Sequence, residues 1–208
     1  MKQKKFDTRR MVMLAMLIGL MLVLQLTGIG LIPLPLIKAT TMHIPVILGA
    51  VLLGWKGGAI LGAVFGLCSI WANITTPSAL SFAFSPVLAG EMGGFAGVLA
   101  SLWTALCCRI LLGVIAGTLW SLLKKWNVHD FAALPVTAAV ATVCHSLLVM
   151  GSIGTLFAPQ YAEAKSVAVD AVFGLAMGVV ATSGIPEAIA AVILVTAIGK
   201  ALLSYIRR

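Results

Sequence analysis

Few residues in this chain can do chemistry, and the one that costs most to place is Arg109. It sits inside an apolar run from Leu99 to Leu123, long enough to cross a bilayer, which takes roughly 20 residues. An arginine near the bilayer centre costs from ~2.5 kcal/mol to more than ~10 kcal/mol, depending on how far its head can reach water. Such a side chain faces a protein interior or a wet cavity and pairs with a carboxylate, a carbonyl or an anionic ligand. Five other polar residues are candidates to share that cavity: His145 within an apolar run, Glu187 at the start of another, Asn73 near the end of a third, and Thr41 and His43 in a proline-rich stretch. Their types suit binding of a small organic acid. They do not suit bond-breaking, because His43, His129 and His145 lie far apart and none has a partner at metal-ligand or nucleophile–base spacing. No catalytic residue, metal site or cofactor is expected. Cys68, Cys107, Cys108 and Cys144 all lie in apolar runs without paired spacing and read as small packing residues.

The elements that must hold these side chains are membrane helices. Of 208 residues, 61% are hydrophobic and 10% charged, and mean hydropathy is +1.12, a composition that would leave a soluble domain with an aggregating surface. The net charge of +8 does not indicate nucleic acid, because the cations cluster at the ends of apolar runs. No GxxxxGK[ST] loop is present, so the chain does not hydrolyse nucleotide by that route. The basic N-terminus followed by an apolar run resembles a signal peptide, but that run is long and has no small-x-small cleavage site, so it is expected to stay as the first span.

The expectation is a single all-α membrane domain, residues 1–208, with spans near 11–32, 44–55, 59–75, 99–123, 131–156 and 185–205. In the first, Ala15 and Gly19 lie four apart and offer a face on which another helix can pack closely. Residues 32–45, with three prolines, form a structured loop, either a connector or a lid over the cavity. Lys56, Gly57 and Gly58 read as a tight turn after a short second span. Gly58, Gly62 and Gly66 make one row on the third, which must be buried against a neighbouring backbone. Asn73 at its end either braces a loop or touches a ligand. Residues 77–97, rich in Pro, Ser and Gly, read as a loop packed on the outer mouth. The apolar stretch 166–182 reads as a half-span or surface helix before a helix break at SGIPE, where Gly184 and Pro186 interrupt the pattern.

Charge sets the orientation. With six spans and a cytoplasmic N-terminus, Lys2, Lys4, Lys5, Arg9, Arg10, Lys56, Lys124, Lys125, Lys200, Arg207 and Arg208 fall inside, and only Lys38 and Lys165 outside, as the positive-inside rule requires. A seventh span over 166–182 would carry Lys200, Arg207 and Arg208 outside. If the fourth span enters near Trp103, Arg109 lies about 9 Å or more below the surface at 1.5 Å per residue. Asn73, His145 and Glu187 then fall at depths that ring an outward-opening pocket. In the competing arrangement, Glu187 simply pairs with Arg109.

These features occur together with a set of short motifs: Ala15-x-x-x-Gly19, the proline-rich first loop leading into ATTMHIPVILGAVLLG at 39–54, FSP at 84–86, CRILLG at 108–113 and SGIPEA at 183–188. In order and spacing they resemble the substrate-binding S components of energy-coupling factor (ECF) vitamin transporters, over most of the chain. The resemblance implies a vitamin pocket closed by the first, third and fifth loops. It also implies docking on a transmembrane coupling subunit attached to two ATPases, and toppling of the S component in the lipid. The family's AxxxA docking face corresponds to Ala15 and Gly19 here, with glycine in place of the second alanine.

The first loop lacks the Asp-rich form of riboflavin members, and TTMHIP and GIPE resemble pantothenate-type members. A buried arginine favours a carboxylate ligand through a forked ion pair, which pantothenate, biotin, folate and niacin all offer. An aromatic content of 7% argues against a large stacked ring such as flavin or pterin. Pantothenate is the favoured substrate, with riboflavin or another vitamin as the alternative. A polytopic membrane enzyme and a scaffold without substrate are the readings from other classes.

Overall fold

A backbone surrounded by lipid must satisfy its own hydrogen bonds, and this chain does so almost entirely as helix. The computed structural model describes residues 8–28, 30–33 and 38–206. In chain order the elements are α1 (Thr8–Leu26), a two-stranded ribbon of β1 (Leu31–Pro33) and β2 (Lys38–Thr40), α2 (His43–Leu53), α3 (Trp55–Thr75), α4 (Pro86–Leu102), α5 (Cys108–Lys125), α6 (Asp130–Leu156), α7 (Ala158–Lys165), α8 (Val172–Val179) and α9 (Ile185–Ile206). Five stretches are long and apolar enough to cross a membrane: Thr8–Leu26, Trp55–Thr75, Pro86–Lys125, Asp130–Leu156 and Val169–Tyr205. The expected sixth is the shorter α2, whose 11 residues rise about 16 Å at 1.5 Å per residue. Nearly all of α2 is buried, packed against α3, α5, α9 and α1. A helix sheathed in protein need not be long enough to bring its ends to water.

Three expectations are corrected. The turn between α2 and α3 falls at Gly54, whose φ of 80° only glycine adopts without strain; Gly57 and Gly58 belong to α3. Residues 86–102 are helical rather than a loop. Ser85 caps the N-terminus by accepting from Leu88 N, Pro86 takes the first position, and Gly94 (φ 57°) reverses the chain so that Gly97 packs on the Ala89 carbonyl. Finally, SGIPE does not break a helix. Val180–Gly184 is a π-helical turn that joins α8 to α9, so from Val169 onward this stretch is part of one continuous helical run rather than a half-span. The wider π turn makes room for the ring of Pro186, which in an α-helix would collide with the carbonyl four residues back.

The glycine row on α3 is buried against a backbone, that of α5. A Cβ at Gly58, Gly62 or Gly66 would strike the carbonyl of Gly113, Arg109 or Ala105 respectively. Where hydrocarbon surrounds the bundle, such close approach supplies the packing that holds two helices together. The cationic ends also gather. Arg10 Nη2 donates to Leu53 O at 3.2 Å, Lys200 lies 5.6 Å from the Phe131 ring centroid, and Lys124 pairs with Asp130 at 2.7 Å. The ribbon and the α3–α4 connection sit at the opposite end. In contrast, α1 buries only Met21; Ala15 and Gly19 are exposed, and a Cβ at Gly19 would meet nothing within 4 Å. Residues 2–5, 34–37 and 207–208, which carry several of the sorted cations and the middle of the first loop, lie outside the described residues.

Candidate functional site

The stripe of α3 that lets α5 approach continues as Phe65, Ser69 and Asn73, and the first two meet Arg109 in the first turn of α5. There Arg109 is 5% exposed. Its Nη1 donates to Thr104 O at 2.9 Å and Ala105 O at 3.0 Å, and its Nη2 donates to Ser69 Oγ at 2.9 Å. Residues Trp103–Cys107 form a π-helical turn, a wide geometry that releases carbonyls from the helical ladder and leaves them for the guanidinium. The turn is braced by Trp103 Nε1, which donates to Ser152 Oγ of α6 at 3.0 Å. The guanidinium carbon lies 4.8 Å from the Phe65 ring centroid and 5.1 Å from that of Phe84, so two ring faces stabilise the cation further. Three of the five N–H donors are thus used. The buried Nε has no partner, and no described carboxylate lies within ion-pair distance. The simple Arg109–Glu187 pair is absent.

Arg109 lines a cavity of about 90 Å³ together with Thr40, Ser69, Asn73, His145, Ser146, Ser183 and Glu187; its apolar wall comes from Leu80, Phe84, Val149, Met150, Val179 and Val180. His145, 6% exposed, places Nδ1 3.4 Å from Cys108 O and its ring 6.0 Å from that of Phe65. Glu187 Oε1 accepts from Thr40 N at 3.0 Å, tying the ribbon to α9. Asn73 faces the cavity, yet its amide is engaged: Nδ2 donates to Ser69 O at 2.8 Å and Oδ1 accepts from Ser81 Oγ at 2.7 Å. Ser78 N donates in turn to Ser81 Oγ at 2.7 Å, so Asn73 braces the α3–α4 connection at the rim.

Of the six binding candidates read from the sequence, Arg109, His145, Glu187 and Asn73 line the cavity, whereas Thr41 and His43 do not. His43, 2% exposed, opens α2 behind the ribbon, and Thr40 rather than Thr41 meets the cavity. The sequence alone does not single out the hydroxyls of Ser69, Ser146 and Ser183 or the two rings around the cation. Ser69 had a signal: it continues the face marked by Gly62 and Gly66, three residues further on. The arrangement can hold an anion on the guanidinium and a hydrogen-bond donor on the carboxylate, with hydrocarbon between.

Comparison with known proteins gives the setting for this cavity. A family model described as "ECF transporter, substrate-specific component" matches residues 9–199. The chain is also 37% identical over 205 residues to "Pantothenic acid transporter PanT" of Lactococcus lactis subsp. cremoris (strain MG1363), covering 96% of each. Both descriptions are of transport proteins, which sets aside the membrane-enzyme and scaffold readings. The chain belongs to the family of substrate-specific components of ECF transporters.

Proposed function

We propose that the chain captures pantothenate in the Arg109 cavity and hands it to an ECF transporter for uptake. One observation carries this reading: a buried guanidinium with an unpartnered Nε and no carboxylate partner lines a cavity. A charge left in that state is costly, and a ligand carboxylate supplies the missing acceptors in a short, charge-assisted pair. A cavity of about 90 Å³ favours a small acid over a flavin or a folate. The printed name of the Lactococcus relative is in accord. In this reading Arg109 takes the carboxylate, and Ser69 orients the guanidinium. His145 and Glu187 meet the polar middle and far end, Asn73 shapes the rim, and Thr41 and His43 seat the ribbon that covers it.

The wider assignments follow. The end carrying Arg10, Lys56, Lys124, Lys125 and Lys200 is cytoplasmic with both termini, α2 counts as the sixth crossing, and the cavity opens outward, consistent with the positive-inside rule. The exposed Ala15–Gly19 face of α1 is where a transmembrane coupling subunit, joined to two ATPases, docks. Gly19→Leu, which fills open space, is therefore expected to abolish uptake in cells carrying the ATPase subunits while leaving vitamin binding intact. To test the ligand assignment, purified protein in lipid nanodiscs is titrated with pantothenate, riboflavin, biotin, folate and niacin. Saturable, submicromolar binding of pantothenate alone is expected; preference for a flavin, or no binding across the panel, overturns the reading.

A further inference from the structure

The cavity contains one cation and one carboxylate that do not pair with each other. Arg109 is on α5 and Glu187 on α9; α6 packs against both, while α5 and α9 make no comparable contact. A ligand anchored by its carboxylate on Arg109 therefore runs across the α6 residues Val149 and Met150 towards Glu187. Glu187 Oε1 already accepts from Thr40 N, but a carboxylate offers about four acceptor sites and no donor. Among the described residues the only ion pair, Lys124–Asp130, lies at the other end of the bundle, so no described lysine or arginine side chain pairs with Glu187.

We propose that Glu187 makes this cavity selective for an acid whose far end carries an uncharged hydroxyl, and that it rejects the phosphate monoester of that same acid. The inference rests on the pantothenate reading above and goes beyond it, since pantothenate carries its carboxylate at one end and a primary hydroxyl at the other. A hydroxyl gives Glu187 the donor it needs. A phosphate in the same place puts two anions in contact, and like charges brought together at a desolvated site are strongly unfavourable. The apolar wall of Leu80, Val149, Met150, Val179 and Val180 suits the hydrocarbon between the two ends, and the hydroxyls of Ser146 and Ser183 that also line the cavity carry no charge to offset a phosphate.

The test measures affinity of the purified wild-type chain for pantothenate, for its phosphate monoester at the primary hydroxyl, and for the analogue with hydrogen in place of that hydroxyl. The ester is expected to bind roughly 100-fold or more weaker than pantothenate, and the deoxy analogue about 10-fold weaker. Glu187→Gln keeps an oxygen for Thr40 N but removes the charge, and it is expected to narrow the ester's disadvantage by about 10-fold or more. An ester that binds the wild type as well as pantothenate does, or an unchanged ratio in Glu187→Gln, overturns the proposal while leaving the pantothenate reading intact. Failure of wild-type protein to bind pantothenate at all overturns both. If Glu187→Gln does not fold, the wild-type comparison of the three ligands decides alone.

Discussion

Two π-helical turns border the cavity, and each is followed within three residues by a charge: Trp103–Cys107 by Arg109, and Val180–Gly184 by Glu187. Their charges are secured in different ways. Arg109 turns back onto the carbonyls of its own turn, with a hydroxyl from α3 completing its hold. A carboxylate cannot bond a carbonyl, so Glu187 reaches outward to a backbone N–H of the ribbon. The cation is thus fixed by the bundle itself, whereas the carboxylate depends on a surface ribbon staying in place. On the proposed reading, with the ligand held between Arg109 and Glu187, loss of the Thr40–Glu187 bond would loosen one end of the ligand and leave the other anchored.

Substitutions can break this contrast at either turn. Arg109→Gln removes the anchor, and pantothenate affinity is expected to fall about 100-fold with the helical content seen by circular dichroism unchanged. Gly62→Val drives a side chain into the Arg109 carbonyl, forcing α5 off α3; overpacking of this kind costs about 1–3 kcal/mol, seen as a lower Tm in detergent, and affinity drops with it. Thr40→Pro deletes the N–H that holds Glu187, and a roughly 10-fold loss is expected, carried mainly by faster dissociation in stopped-flow measurements. Ser69→Ala removes one neutral partner of a guanidinium that keeps two carbonyls, so a loss of only about 5-fold is expected by calorimetry. If Thr40→Pro slowed association and left dissociation unchanged, the contrast between a fixed and a releasable end would fail.

What the sequence disclosed about this site depended on how local the cause was. The depth of Arg109 was readable because a single cation interrupts a long apolar run, and the glycine row on α3 because its spacing matches one helical face. The π turns were not readable. Their width arises from the packing of α5 and α9 on α6 and from a side chain bonding its own backbone, neither of which leaves a periodic mark. Gly184 and Pro186 therefore read as a break where the helix only widens. The glycines of 77–97 suggested a loop for a related reason, since Gly94 does turn the chain, but within a helical hairpin whose start at Ser85–Pro86 follows ordinary capping rules. The brevity of α2 likewise becomes intelligible only once its burial by neighbouring helices is known.

The most direct measurement is a thermodynamic cycle that pairs Arg109→Gln with replacement of the ligand carboxylate by an alcohol, all four affinities being read by calorimetry. If the guanidinium binds the carboxylate, each change alone is costly and the second adds little, giving a coupling energy of about 2 kcal/mol. Fully additive losses, with the alcohol binding Arg109→Gln as much more weakly than the acid as it does in the wild type, would contradict the assignment of Arg109 as the anion anchor.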